Sequence, residues 1–90
     1  MATEVRIPTI LRTYTDGEKA VNGEGASLSA LIDDLESNHP GLKDRLIEGD
    51  ALRRFVNVYV NDEDVRFIGS LEAELSDGDQ VVILPAVAGG

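Results

Sequence analysis

The sequence predicts an α+β roll: one main helix packed across a mixed sheet of four or five strands. Three observations carry that expectation. Short runs of alternating apolar residues occur near the start, in the middle around Val58, and at the end of the chain. One stretch, Leu28 to Leu35, has helical spacing instead. Turn-forming pairs, Asp16-Gly17, Pro40-Gly41 and Asp77-Gly78, separate the runs. Ninety residues make one domain. A chain of this size buries only about 60% of its unfolded surface, so its core is modest.

Val5 and Ile7 alternate with Glu4 and Arg6, which predicts a half-buried strand that Pro8 ends or places at an edge. Ile10, Leu11 and Tyr14 continue as an irregular segment expected to cap the core. Asp16-Gly17 then turns the chain into a short strand around Lys19 to Asn22, which makes an opening hairpin with a long loop. Gly23 to Gly25 are expected to break the chain. Ser27 stands at a helix N-cap position. Leu28, Leu31, Ile32 and Leu35 follow at i, i+3, i+4 and i+7, one apolar stripe, with Asp33, Asp34 and Glu36 facing away. The helix stops at Pro40-Gly41.

Residues 42 to 54 read as polar and irregular, with one helical turn around Leu42 to Ile47. Phe55 to Val60 is a strand, with Val56, Val58 and Val60 toward the helix and Phe55, Asn57 and Tyr59 on the other face. Asn61 to Asp64 forms a turn into a short strand, Val65 to Phe67. Leu71 and Leu75 mark a turn of helix, and Asp77-Gly78-Asp79 leads into the last strand. That strand is expected at the centre of the sheet. Val81 and Ile83 point to the core, so Val82 and Leu84 join Phe55 and Tyr59 on the open face as a candidate docking surface.

Composition narrows the chemistry. Eight basic against seventeen acidic residues give a net charge of −9. That charge opposes nucleic-acid backbones and anionic membranes and suits docking onto basic protein surfaces. With zero cysteines the chain has no disulfide, no cysteine-ligated metal and no thiol catalysis. No P-loop or ligand cluster is present, so no cofactor or metal is expected on this chain, and it is read as a non-enzyme. His39, the one histidine, sits at the helix C-terminus, where a partial cation is favourable, and no second ligand stands near it in sequence. The acidic run at 61–64 lacks calcium-loop spacing and reads as a solvated turn. Arg53-Arg54, an adjacent basic pair, reads as a solvated strand entry or a contact for an acidic partner. The sequence shows no signal peptide and no long apolar run, which points to the cytoplasm.

The last eleven residues, QVVILPAVAGG, carry the functional expectation. A buried strand stops at Pro85 and leads with no long linker into Ala86, Val87, Ala88, Gly89 and Gly90. Residues 1–85 are therefore expected to fold, and 86–90 to form a flexible tail. Glycines can thread a narrow channel. A terminal carboxylate is a poor electrophile and needs activation, typically as an acyl-adenylate. Once activated, it can accept sulfur to give a thiocarboxylate or an amine to give an amide.

The run LSDGDQVVILPAVAGG resembles the C-terminus of ubiquitin-like sulfur carriers of the MoaD/ThiS type. The helix SLSALIDDLESNHPGL and the strand VNVYVNDEDVRF extend the likeness over nearly the whole chain. The opening IPTILRTYTDG, taken with PAVAGG, looks nearer to the cysteine-biosynthesis carriers of that family than to the molybdopterin or thiamine carriers. The resemblance implies a β-grasp fold. It implies adenylation of Gly90 by an E1-like enzyme and conversion to a thiocarboxylate. It further implies sulfur delivery to a PLP-dependent cysteine synthase, with a JAMM-type zinc peptidase releasing cysteine from the carrier. ATP, PLP and zinc all belong to those partners. The alternatives are a carrier subunit for molybdopterin or thiamine synthesis and a ubiquitin-like protein modifier.

Overall fold

The computed structural model describes residues 2–54 and 56–85. The chain runs β1 (Ala2–Arg6), a 3-10 segment (Thr9–Thr15), β2 (Ala20–Glu24), α1 (Leu28–Asn38) and α2 (Leu42–Leu46). It continues through β3 (Ile47–Glu48), β4 (Ala51–Leu52), β5 (Val56–Val60), β6 (Glu63–Asp64), two 3-10 turns (Val65–Phe67, Ser70–Glu72) and β7 (Gln80–Pro85). The main sheet has five strands in the order β2-β1-β7-β5-β6. β1 and β7 pair in parallel, and the other pairs are antiparallel. The last strand is therefore the central one, as the roll requires.

The helix forms where its caps and its stripe agree. The Ser27 side chain accepts from Ala30 N at 3.2 Å, and α1 buries Leu28, Leu31, Ile32 and Leu35. The stripe lies on the inner face of the sheet. There Val5, Val81 and Val60 are cross-strand neighbours, and Val58 pairs with Ile83. All of these side chains are buried. Each fully buried aliphatic side chain in this layer contributes about 1.5–3 kcal/mol. The alternation read for β5 and β7 holds, with Val56 only half-buried at the rim.

The expected break at Gly23 to Gly25 begins later: Gly23 is part of β2, and Gly25 lies between β2 and α1. Both serve close approach of the helix to the strand. A Cβ on Gly23 would sit 2.6 Å from Leu31 Cδ1, and one on Gly25 would sit 2.4 Å from the backbone nitrogen of Leu31.

Further expectations change. Val65–Phe67 is a 3-10 turn, and the strand is the shorter β6 just before it. Asn61 and Asp62, at φ 51° and 70°, close a two-residue hairpin, so pairing begins at Val60–Glu63 and ends at once. Val65 then turns inward and is fully buried, while the Asp64 carboxylate accepts from Arg66 N at 2.9 Å. The 42–54 region is more ordered than its polarity suggests: α2 is followed by a small antiparallel ladder of β3 and β4. Ile10 is 67% exposed rather than capping the core, a role left to Leu11, with Tyr14 half-buried against it. Finally, the helix acids are not idle. The Glu36 carboxylate accepts from Gly41 N and Lys43 N, joining α1 to α2, and Asp34 accepts from Glu24 N at 2.9 Å.

Of the expected helical turn at Leu71 and Leu75, only Leu71 falls in one, the 3-10 turn at Ser70–Glu72. Leu75 lies beyond it, buried, its N–H bonded to Ala26 O at 3.0 Å.

Candidate functional site

The site is the exit of the central strand. β7 is held on both sides, by β1 through Val81 and Val82 and by β5 as far as Pro85–Val56. Its position is therefore fixed up to the residue from which the terminal segment departs. Ala86, Val87, Ala88, Gly89 and Gly90 lie outside the described residues, as does Phe55.

The outer face of the sheet gathers three of the four residues expected for docking. Tyr59 and Val82 are direct cross-strand partners, and Leu84 stands opposite Asn57 one pleat further on. Tyr59 and Val82 are half-buried and Leu84 is 44% exposed. The open apolar patch thus exists beside the strand exit. Because cross-strand partners project to the same face, a one-residue slip of β7 would have sent Val82 and Leu84 inward.

Sequence reasoning missed the groove that adjoins the patch. Arg6, Arg12, Lys19 and Ile10 line it together with Val82 and Leu84. Arg6 stands beside Val82 in register, on the same face. Arg12 Nε donates to Ile7 O at 3.1 Å, which folds the 3-10 segment over the end of β1. Lys19 is brought there because its carbonyl accepts from Ile7 N at 2.8 Å. Three cations spread over fourteen positions of sequence form no visible cluster; only the outward phase of Arg6 hinted at one.

Other sequence candidates fall elsewhere. His39 is the C-cap of α1, its N–H bonded to Leu35 O, in keeping with a helix-end role. Arg53 Nε donates to Asp44 O at 2.8 Å and the side chain pairs with Glu48 at 3.9 Å, while Arg54 is exposed in a turn. Among the described residues no three His, Cys, Asp or Glu side chains are grouped to hold a metal ion. None of the described helices is long and apolar enough to cross a membrane.

The opposite end of β7 is a polar clamp. Asp79 accepts from Ser76 N at 2.8 Å and from Asn61 Nδ2 at 2.9 Å, and Asn61 Oδ1 accepts from Gln80 N at 3.0 Å. The bond from the Ser76 N–H, and then that from Asn61, hold the Asp79 carboxyl below its ordinary range. Lys43, away from the site, is raised by its hydrogen bond and ion pair with Asp33 at 2.6 Å.

One helix across a mixed five-stranded sheet, with the final strand central and parallel to the first, defines a ubiquitin-like β-grasp protein. The chain belongs to the ThiS family, whose model matches residues 5–90. It is 55% identical to the sulfur carrier protein CysO of Mycobacterium tuberculosis, in an alignment of 93 positions spanning the whole of both chains. Among solved structures it resembles a chain of the Amycolatopsis orientalis BexX/CysO complex, with a TM-score of 0.94 and 62% identity over 98% of this chain and 99% of that one. The crystal structure of M. tuberculosis CysO gives a TM-score of 0.91 and 53% identity, covering 94% and 99%.

Proposed function

We propose that this chain is a sulfur carrier for cysteine biosynthesis, working through its own main-chain end. The observation that carries the reading is the placement of β7. The strand paired on both sides at the centre of the sheet runs to Pro85 and leads into residues 86–90. Full-length likeness to proteins named sulfur carrier protein CysO supports the same reading.

The chemistry needs no catalytic side chain on the carrier. The Gly90 carboxylate attacks the α-phosphorus of ATP on an E1-like enzyme, and pyrophosphate leaves. A sulfur nucleophile then adds to the acyl carbon, the bond to AMP breaks, and a thiocarboxylate remains. The thiocarboxylate would deliver its sulfur to a PLP-dependent cysteine synthase, where PLP would supply the acceptor, and a JAMM-type zinc peptidase would release cysteine from the carrier. ATP, PLP and zinc stay with these partners. The body of the domain, residues 1–85, supplies recognition through Phe55, Tyr59, Val82 and Leu84. Residues 86–90 supply reach, and Gly89 and Gly90 let the end pass a narrow channel. The protein works in the cytoplasm with protein partners, away from nucleic acid and membrane, in line with its net charge of −9.

Intact mass tests this directly. Incubation with the activating enzyme, ATP and a sulfur source should replace one oxygen by sulfur, localised to Gly90. Deletion of Gly90 should abolish the mass change and leave the thermal unfolding curve in place. Sulfur arriving on the truncated protein would refute the site.

A further inference from the structure

The groove beside the strand exit has a charge opposite to that of the molecule. The chain carries −9, yet the groove sets Arg6, Arg12 and Lys19 against Ile10, Val82 and Leu84, with no carboxylate among its described lining residues. The other cations are largely engaged. Lys43, Arg53 and Arg66 pair with Asp33, Glu48 and Asp64, and Arg45 Nε donates to the Tyr14 hydroxyl at 2.7 Å. Arg6, Arg12 and Lys19 have no ion-pair partner among the described residues. Arg6 and Lys19 are exposed, and Arg12 spends only its Nε on Ile7 O. The opposite end of β7 carries Asp77 and Asp79 and lies next to the hairpin with Asp62 and Glu63. Positive potential is thus collected at the end of β7 from which residues 86–90 depart.

We propose that this groove receives an acidic rim on the proteins that accept the terminal segment: carboxylates flanking the mouth of their channel. The inference rests on the carrier reading and adds the electrostatic character of the partner. It also refines the expectation from net charge, which pointed to basic partner surfaces. The total charge is a sum over the whole surface, and the local groove decides what faces the tail's destination. An opposite-sign rim would orient the carrier with its strand exit forward and raise the encounter rate. Ile10 and Leu84 beside the cations provide the desolvated apolar contact that follows encounter.

The test uses BexX of Amycolatopsis orientalis as the probe, since a structure holds it in complex with a CysO chain 62% identical to this one. Association and dissociation rates are measured across a salt series for wild type, R6E/K19E, R6Q/K19Q and K43E. R6E/K19E should associate roughly tenfold more slowly at low salt, with the gap closing as salt screens it. R6Q/K19Q should fall between, and K43E, remote from the groove, should match wild type. R6Q/K19Q keeps the test open should the reversed pair unfold. No association by wild type, unchanged rates in both groove variants, or faster association by R6E/K19E would overturn the proposal. Sulfur loading at Gly90, followed in parallel by mass, separates the two ideas. Loading that proceeds while groove variants bind normally removes the acidic rim and leaves the carrier; groove effects without any loading do the reverse.

Discussion

The two ends of β7 are built on opposite principles. At its start, Asn61, Ser76, Asp79 and Gln80 exchange side-chain and backbone hydrogen bonds between 2.8 and 3.0 Å, and Gln80 Nε2 also donates to Glu4 at 2.7 Å. The side chains of Asn61 and Asp79 are satisfied within the chain. At its end, Leu84 is 44% exposed and Arg6 and Lys19 stand without ion-pair partners among the described residues. The molecule thus separates holding the strand from offering it. Substitutions in the middle and at the start should act on folding, and those at the exit should act on partners.

The sharpest way to break that division is in the centre. Ile83 is 3% exposed and lies on the inner face against Val58. Ile83→Ala should cost about 2–5 kcal/mol in urea unfolding, from lost transfer and the cavity left behind. A loss below about 1 kcal/mol would mean the inner face is loosely packed and the strand is held chiefly by its polar start. Gly25→Ala comes next. The new Cβ would meet Leu31 N at 2.4 Å and Ala30 C at 2.7 Å, both backbone atoms that cannot rotate away. A loss of about 1–3 kcal/mol is expected as α1 shifts off β2, measured the same way.

The inner half of this picture was legible in the sequence because it is periodic. Leu28, Leu31, Ile32 and Leu35, then Val58, Val60, Val81 and Ile83, state their faces by spacing alone, and all are buried. Tyr59, Val82 and Leu84 followed by alternation. What stayed hidden depends on contacts between distant positions. Gly23 looked like a breaker, and Gly25 like nothing more, because their shared purpose, room for Leu31, exists only once the helix is docked. Val65 left its expected strand because two left-handed residues, Asn61 and Asp62, shortened the hairpin. The β3–β4 ladder is two residues long on each side, too short for any alternation to register. Arg6, Arg12 and Lys19 meet through the β1–β2 loop, which no local pattern encodes.

Leu84→Asp probes the exit end. Leu84 is already 44% exposed, so the folding penalty should stay within about 1 kcal/mol, the span of strand preference. Pyrophosphate release by the activating enzyme should nonetheless slow strongly, because a carboxylate now sits in the apolar contact. Unfolding by this change would place Leu84 in the core and contradict the assigned faces.

The smallest effect is expected at the clamp, and it carries a pH signature. Asp79 is half-buried, and its carboxyl is held below the ordinary aspartate value of 3.8 by the Ser76 N–H and then by Asn61. A group with a depressed folded-state pKa binds its proton more readily when unfolded. It therefore contributes stability above its unfolded pKa, and that contribution disappears as pH falls through the lower folded value. Asp79→Ala should lower the melting temperature slightly at neutral pH, and the difference from wild type should shrink steadily below about pH 4. Because the bonds involved start β7 rather than end it, partner association at the exit should be unchanged at neutral pH. A variant that kept its melting temperature but lost association would show that the two ends of the strand are coupled, and the separation of holding from offering would fail.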